Sequence, residues 1–134
     1  MKLNNTRYPA WSFNLALFLM RLAFGGLMLI NHGFEKLMRY SELQYKFSDP
    51  FGFGPKWSLI LVIFAEVFCS ILVIIGLFTR FALIPLIITM LTVLFYVKNG
   101  DLKGGEMSAL FLSGFLAILL VGPGKASVDG MMGK

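Results

Sequence analysis

Four apolar runs dictate what this 134-residue chain can fold into. They cover residues 12–30, 57–78, 81–97 and 107–121, and the last grows to 18 residues if it starts at Gly104. Crossing the hydrocarbon core of a bilayer takes about 20 apolar residues, each rising some 1.5 Å, so the runs match lipid better than a soluble core. Composition agrees. Of all residues 57% are hydrophobic and only 14% charged, where soluble domains carry about 25% charged residues, and the mean hydropathy is +0.79. The expected fold is all-α: an antiparallel integral membrane four-helix bundle forming one domain over residues 1–134, with helices at about 12–31, 57–78, 81–97 and 105–121.

The punctuation between the runs supports that division. Gly104 and Gly105 precede the fourth run and Gly122-Pro123-Gly124 ends it, sequences that helices seldom cross. The link "FTRF" between the second and third runs is short enough to require a hairpin. Pro85 lies one turn inside the third run, where proline is tolerated and a neighbouring helix can satisfy the freed carbonyl. The first run follows Lys2 and Arg7, but it is longer than the apolar region of a signal peptide, is interrupted by Arg21, and ends in Asn31-His32-Gly33 with no small-x-small cleavage site. It reads as a retained anchor. An even number of crossings puts both termini on one side, expected to be the cytoplasmic side of a bacterial inner membrane. The cation count does not choose an orientation: Lys2, Arg7, Arg80, Lys125 and Lys134 fall on the terminal side, and Lys36, Arg39, Lys46, Lys56, Lys98 and Lys103 on the other.

Several function classes are excluded. The formal net charge of +5 resides mostly in juxtamembrane residues, which face anionic lipid rather than nucleic acid. Cys69 is the only cysteine, so there is no intrachain disulfide and no CxxC relay; within an apolar run it reads as a small buried hydrophobe. No phosphate-binding glycine loop, zinc-ligand spacing, nucleophile elbow or internal repeat appears, and no metal site is expected.

The chemistry must therefore come from charges inside the runs. An ionisable side chain at the bilayer centre costs about 2.5–3.5 kcal/mol on insertion scales and usually faces the bundle interior with a partner. Arg21 and Glu66 are the two charges deep in the runs, each near a run's middle and of opposite sign, so the simplest expectation is that they pair. The pair would be either a latch fixing helix register or part of a polar binding site. At about 100° per residue, Arg21, Gly25, Met28 and His32 share a face, with Glu35 and Lys36 close to the same stripe if the helix continues. In the fourth run Glu106, Ala109, Ser113 and Ala117 form a face of small and polar residues suited to close helix contact. His32, Lys36 and Glu106 would then form a polar track entering the bundle from one side towards Arg21 and Glu66. Plainer readings stand beside this: His32 as an interfacial residue, Glu106 as a helix-dipole complement, and Thr89, Thr92 and Tyr96 as packing residues of the third run.

The longest connection starts with "FEKLMRYSELQYKF", which reads as a short interfacial helix dipping Leu37, Met38, Tyr40, Tyr45 and Phe47 into lipid. The "DPFGFGP" that follows is rigid and aromatic, either a lid over the bundle or a surface anchor.

Five stretches, "RLAFGGLMLINHGFEK", "FGFGPKWSLILVIFAE", "GLFTR", "GGE" and "GPGKASVDG", occur in an order and spacing that resembles the DoxX family over about residues 15–130. The resemblance implies four transmembrane helices and a polar signature of Arg21, His32, Lys36, Glu66, Thr79, Arg80 and Glu106. It implies less about activity, because DoxX-like proteins include a quinone-linked oxidoreductase subunit, an associate of redox-stress enzymes, and chaperones or cargo receptors. Two readings follow. In the first the chain is a redox-linked subunit with a quinone-binding site in the bundle: His32, Glu106 and Lys36 act on the ring carbonyl and its proton, while Arg21, Glu66, Thr79 and Arg80 bind it. In the second it is a non-catalytic scaffold or assembly chaperone. Lipid, a redox enzyme or other membrane protein, and a second copy of the chain are the expected partners. Anion transport towards Arg21 lacks the broken-helix repeats usual in transporters, and haem would need a second axial ligand from another chain.

Overall fold

The computed structural model describes residues 4–133. Lys2 and Lys134, two of the cations assigned to the terminal side, lie outside the described residues. Among the described residues every regular element is helical. They are α1, Ala10–Met38; α2, Tyr40–Leu43; α3, Pro55–Ile75; α4, Thr79–Val97; α5, Glu106–Val121; and α6, Val128–Met131. Helices α1, α3 and α4 are long and apolar enough to cross a membrane, with 29, 21 and 19 residues, whereas α5 is apolar but shorter.

The outer surface is apolar, and several polar side chains are buried beside the apolar core. Leu15, Leu19, Leu22, Leu27, Ile30, Phe68, Ile84, Ile88, Leu110 and Leu116 are exposed along the helix flanks, while Arg21, Ser58, Glu66, Ser70, Thr79, Ser108 and Asp129 are buried. A soluble protein does not expose contiguous apolar surface on this scale; a bilayer requires it. The apolar core between the helices is Met28, Val73, Leu83, Leu86, Phe115, Ile118 and their neighbours.

Close approach of α1 and α3 sets their register. A Cβ on Gly33 would stand 2.5 Å from the carbonyl oxygen of Glu66, and one on Gly25 would stand 2.9 Å from Ile74 Cγ1. Residue numbers thus rise along α1 as they fall along α3, and only glycine fits at position 33. On the other flank of α1, Phe24 lies against Gly114 and joins Phe111 and Phe115 of α5, with ring centroids 6.0 and 6.2 Å away. The buried face of α5 is Ser108, Phe111, Gly114, Phe115 and Ile118. The face expected from the sequence is displaced: Glu106 and Ser113 are exposed and Ala109 and Ala117 half-buried.

Helix α1 continues past Asn31 to Met38, so the expected stop at His32-Gly33 is overturned. Nothing at Gly33 breaks the helix, since its φ of −66° is ordinary and its missing side chain is what α3 packs into. The chain turns only at Arg39, where φ is −101°. Arg39 bonds Glu35 and Glu42 there, and these bonds hold the Glu42 carboxyl below its ordinary range. The expected interfacial helix shrinks to the single turn of α2.

Three of the ionisable residues highlighted by the sequence fall on widened turns with i+5 hydrogen bonding: Arg21 within Arg21–Gly25, His32 within Leu29–Gly33 and Glu66 within Phe64–Cys69. Such turns shift the phase of a helical stripe and recur at functional sites. Here Gly33, rather than His32, takes the buried position after Met28.

The α1–α3 contact makes a direct prediction. Gly33→Ala should destabilise the protein by about 1–3 kcal/mol, the usual cost of overpacking. Gly26→Ala, with nothing within 4 Å of the added methyl, should be neutral or gain a few tenths of a kcal/mol. Thermal unfolding of the two variants in one detergent, followed by circular dichroism, checks the contrast.

Candidate functional site

The expected Arg21–Glu66 pair does not form. With α1 running to Met38 and Gly33 seated on Glu66, Glu66 stands opposite residues 33–36; Arg21 is twelve residues earlier, about 18 Å along the helix axis. Instead Lys36 Nζ bonds both carboxylate oxygens of Glu66, at 2.9 and 2.8 Å. The Glu66 side chain is 3% exposed and that of Lys36 is 23% exposed.

Arg21 is 1% exposed and serves the opposite end of α3. Gly76 ends that helix with φ at +76°, and Gly76 and Leu77 both return their amides to Leu72 O, a glycine-capped stop. Arg21 Nη1 donates to Val73 O and Ile74 O at 3.4 and 3.0 Å, and Nη2 donates to Ala126 O. A guanidinium there also complements the negative end of the helix dipole. Any side chain at position 76 would collide with Ser127 and Arg21 Nη1, so the turn needs glycine for both conformation and space. Arg21 Nε has no hydrogen-bond partner.

The tail after α5 completes this arrangement. Asp129 is 6% exposed, and its carboxylate accepts from Phe78 N and Thr79 N at 2.9 and 3.0 Å, capping the start of α4. Its own amide donates to Gly76 O at 2.8 Å. Ser127 accepts from Gly130 N and donates to Gly124 O, and Lys125 N donates to Asn14 Oδ1 on α1. Arg80 does for α5 what Arg21 does for α3: Nε donates to Leu119 O at 3.1 Å and Nη2 to Leu120 O at 3.4 Å. Of the residues expected to bind a substrate here, Arg21 and Arg80 donate to backbone carbonyls, while Thr79 gives its amide to Asp129 and its buried hydroxyl has no hydrogen-bond partner.

The remaining candidates lie apart. The His32 ring meets Phe111 edge-on with centroids 5.5 Å apart, and Glu106 is exposed at the first residue of α5. Neither lines the cavity that Lys36 and Glu66 share. That cavity measures about 520 Å³ and lies between α3, α4 and the loop of residues 47–53. Its wall is apolar, chiefly Phe47, Phe51, Phe53, Leu61, Val62 and Val93, with the ion pair as its concentrated polarity. Phe64 and Ile88 are at once lining residues and exposed, so the cavity reaches the apolar outer surface between α3 and α4. Thr89 and Thr92 also line it, and their hydroxyls return to Pro85 O and Ile88 O at 2.8 Å. Asp49 holds the loop in place by accepting from Gly54 N at 2.9 Å and from Ser58 Oγ at 3.0 Å.

Sequence reasoning passed over Asp49 and Asp129. Asp49 stands five residues ahead of Gly54, the cap position of the Pro-started α3, and accepts its amide's hydrogen bond from within the loop. Asp129 caps a helix that starts 50 residues earlier in the chain, so no local spacing signals it. Among the described residues, no three His, Cys, Asp or Glu side chains converge in a way that would hold a metal ion.

Double-mutant cycles separate the two charge assignments. Lys36→Met with Glu66→Met should show a coupling of about 0.5–3 kcal/mol, with the double variant more stable than Lys36→Met alone because no buried carboxylate is stranded. Arg21→Met with Glu66→Met should be additive within about 0.5 kcal/mol. Chemical or thermal unfolding in detergent measures both.

No curated protein and no solved structure matches the chain. The model of one family, DoxX, does match, over residues 16–99. That span runs from the first half of α1 through α4 and contains Arg21, His32, Lys36, Glu66, Thr79 and Arg80, while Glu106 and Asp129 fall beyond it. With a match covering more than half of its length and an apolar helical exterior, the chain belongs to the DoxX family of membrane proteins.

Proposed function

We propose that this protein is a redox-linked membrane subunit that binds a quinone in the cavity above the Lys36–Glu66 pair. The observation carrying the reading is that cavity. Its volume of about 520 Å³ lies in the range of small-molecule sites, about 300–1,000 Å³, and it combines apolar walls with a few convergent polar groups, as such sites do. Its opening between Phe64 and Ile88 suits a ligand arriving sideways from lipid. The residues fit the headgroup. Lys36 can donate to a ring carbonyl while keeping a contact to Glu66, and Glu66, as the acidic partner, can take up or release a proton at its carboxylate. Phe51 and Phe53 supply flat apolar surface that excludes water. A bound quinone would supply a two-electron acceptor, and the electrons would come from a partner protein carrying a redox centre.

In this reading α1, α3, α4 and α5 cross the membrane as one antiparallel four-helix domain, with both termini on the cytoplasmic side of a bacterial inner membrane. Of the three residues assigned from sequence to the ring carbonyl and its proton, Lys36 keeps that role, and Glu66, its partner in lining the cavity, takes the place of His32 and Glu106.

A second reading, a scaffold that stabilises a partner protein or another copy of the chain, draws on a different observation: Arg21, Arg80 and Asp129 all serve backbone caps. It predicts that the cavity is dispensable.

Solvent extraction of protein purified in mild detergent should recover quinone close to one per chain. In a Trp11→Phe background, a short-chain quinone should quench Trp57, the neighbour of the cavity residue Ser58, in a saturable way. Lys36→Met should weaken that binding about tenfold, the worth of one charged hydrogen bond, and His32→Ala should leave it unchanged. Absence of both retained quinone and saturable quenching would favour the scaffold.

A further inference from the structure

The opposite end of the bundle carries a second concavity that the quinone reading does not use. It measures about 1040 Å³ and lies between the start of α1, the start of α4 and the tail, with Asn14, Phe78, Arg80, Phe81, Lys125 and Asp129 among its walls. Charge is distributed unevenly between the two ends. The loop end holds Lys36, Arg39, Lys46, Lys56, Lys98 and Lys103 against six acids, Glu35, Glu42, Asp49, Glu66, Asp101 and Glu106, so its formal charges cancel. Among the described residues, the groove end holds Arg7, Arg21, Arg80 and Lys125 against Asp129 alone. That carboxylate is engaged by the Phe78 and Thr79 amides and lies in the field of Arg21.

We propose that this groove binds one anionic phospholipid, with the phosphate headgroup between Arg80 and Lys125. Arg80 spends Nε and Nη2 on the carbonyls of α5, which fixes the plane of its guanidinium and leaves Nη1 available as a donor. The Lys125 backbone is pinned to Asn14, and its side chain is exposed. Phe81, itself a groove residue, is 76% exposed, and Leu120, beside the groove residue Val121, is 79% exposed. The basic rim therefore continues directly into apolar helix surface, the sequence of environments a phospholipid presents from headgroup to acyl chain. A free phosphate would match the rim and leave the apolar flank unexplained.

Native mass spectrometry of the full chain in detergent, with equal amounts of phosphatidylglycerol and phosphatidylcholine, tests the site. One phosphatidylglycerol should be retained per chain in preference to phosphatidylcholine. Lys125→Gln and Arg80→Gln should each weaken retention about fivefold, since a juxtamembrane cation contributes about that factor. Lys98→Gln with Lys103→Gln, at the other end, should not. Because Arg80→Gln also uncaps α5, the result rests on Lys125→Gln, checked for an unchanged melting temperature. Equal retention of the two lipids, equal loss from the Lys98/Lys103 variant, or displacement of the lipid by inorganic phosphate at matched concentration would overturn the proposal. None of these outcomes depends on whether quinone binds at the far end.

Discussion

A guanidinium buried to 1% exposure and bonded to the carbonyls at the end of α3 and of the tail is the constraint around which this protein is arranged. Those carbonyls would otherwise sit buried and unpaired, at a cost of about 1–3 kcal/mol each. Arg21 satisfies them, and their partial negative charge in turn makes its burial tolerable. Asp129 does the converse for the first amides of α4. The tight turn at Gly76 is thus held from both sides, by a cation on the helix that ends and an anion on the helix that begins. Each charge also compensates the other through space. The tail is integral to the fold because it delivers both Ala126 O and Asp129 to that turn.

The two internal charge systems differ in what they leave free. Around Arg21 most donors face backbone acceptors in a packed setting. Around Glu66 both carboxylate oxygens face a single flexible lysine whose side chain remains 23% exposed at the edge of a cavity. A buried ion pair adds little net stability, so the Lys36–Glu66 pair contributes less to holding the helices together than the apolar contacts around it do. The widened turn at Phe64–Cys69 places Glu66 there, and the glycine at 33 brings α1 close enough for Lys36 to reach it.

Much of this was legible in the sequence, and the failures share a cause. The spans of α3, α4 and α5 follow the apolar runs to within three residues at either end, because hydropathy and Gly/Pro punctuation report directly on what lipid and helix geometry permit. The end of α1 was misplaced because polar residues mark where apolarity stops, not where a helix stops. That error put Arg21 at mid-helix and paired it with Glu66. The correct partners of Arg21 are backbone carbonyls, which every residue carries, so no sequence pattern distinguishes them. The polar stripe through His32 drifted for a related reason: i+5 turns have no clear residue signature, and two of them in α1 shift the phase that a constant 100° step assumes.

Charge follows the same division between the ends of the bundle. At the loop end six acids balance six cations, so the field there is local and set by individual pairs such as Lys36–Glu66, which suits recognition of a neutral ligand by hydrogen bonding. At the tail end the one described acid is consumed by a helix cap, and exposed cations are left to face the headgroup region. Anions near that surface are attracted whatever their identity. Discrimination among them therefore has to come from shape, and the continuity of the groove with Phe81 and the exposed flank of α5 favours an anion that carries its own apolar chains.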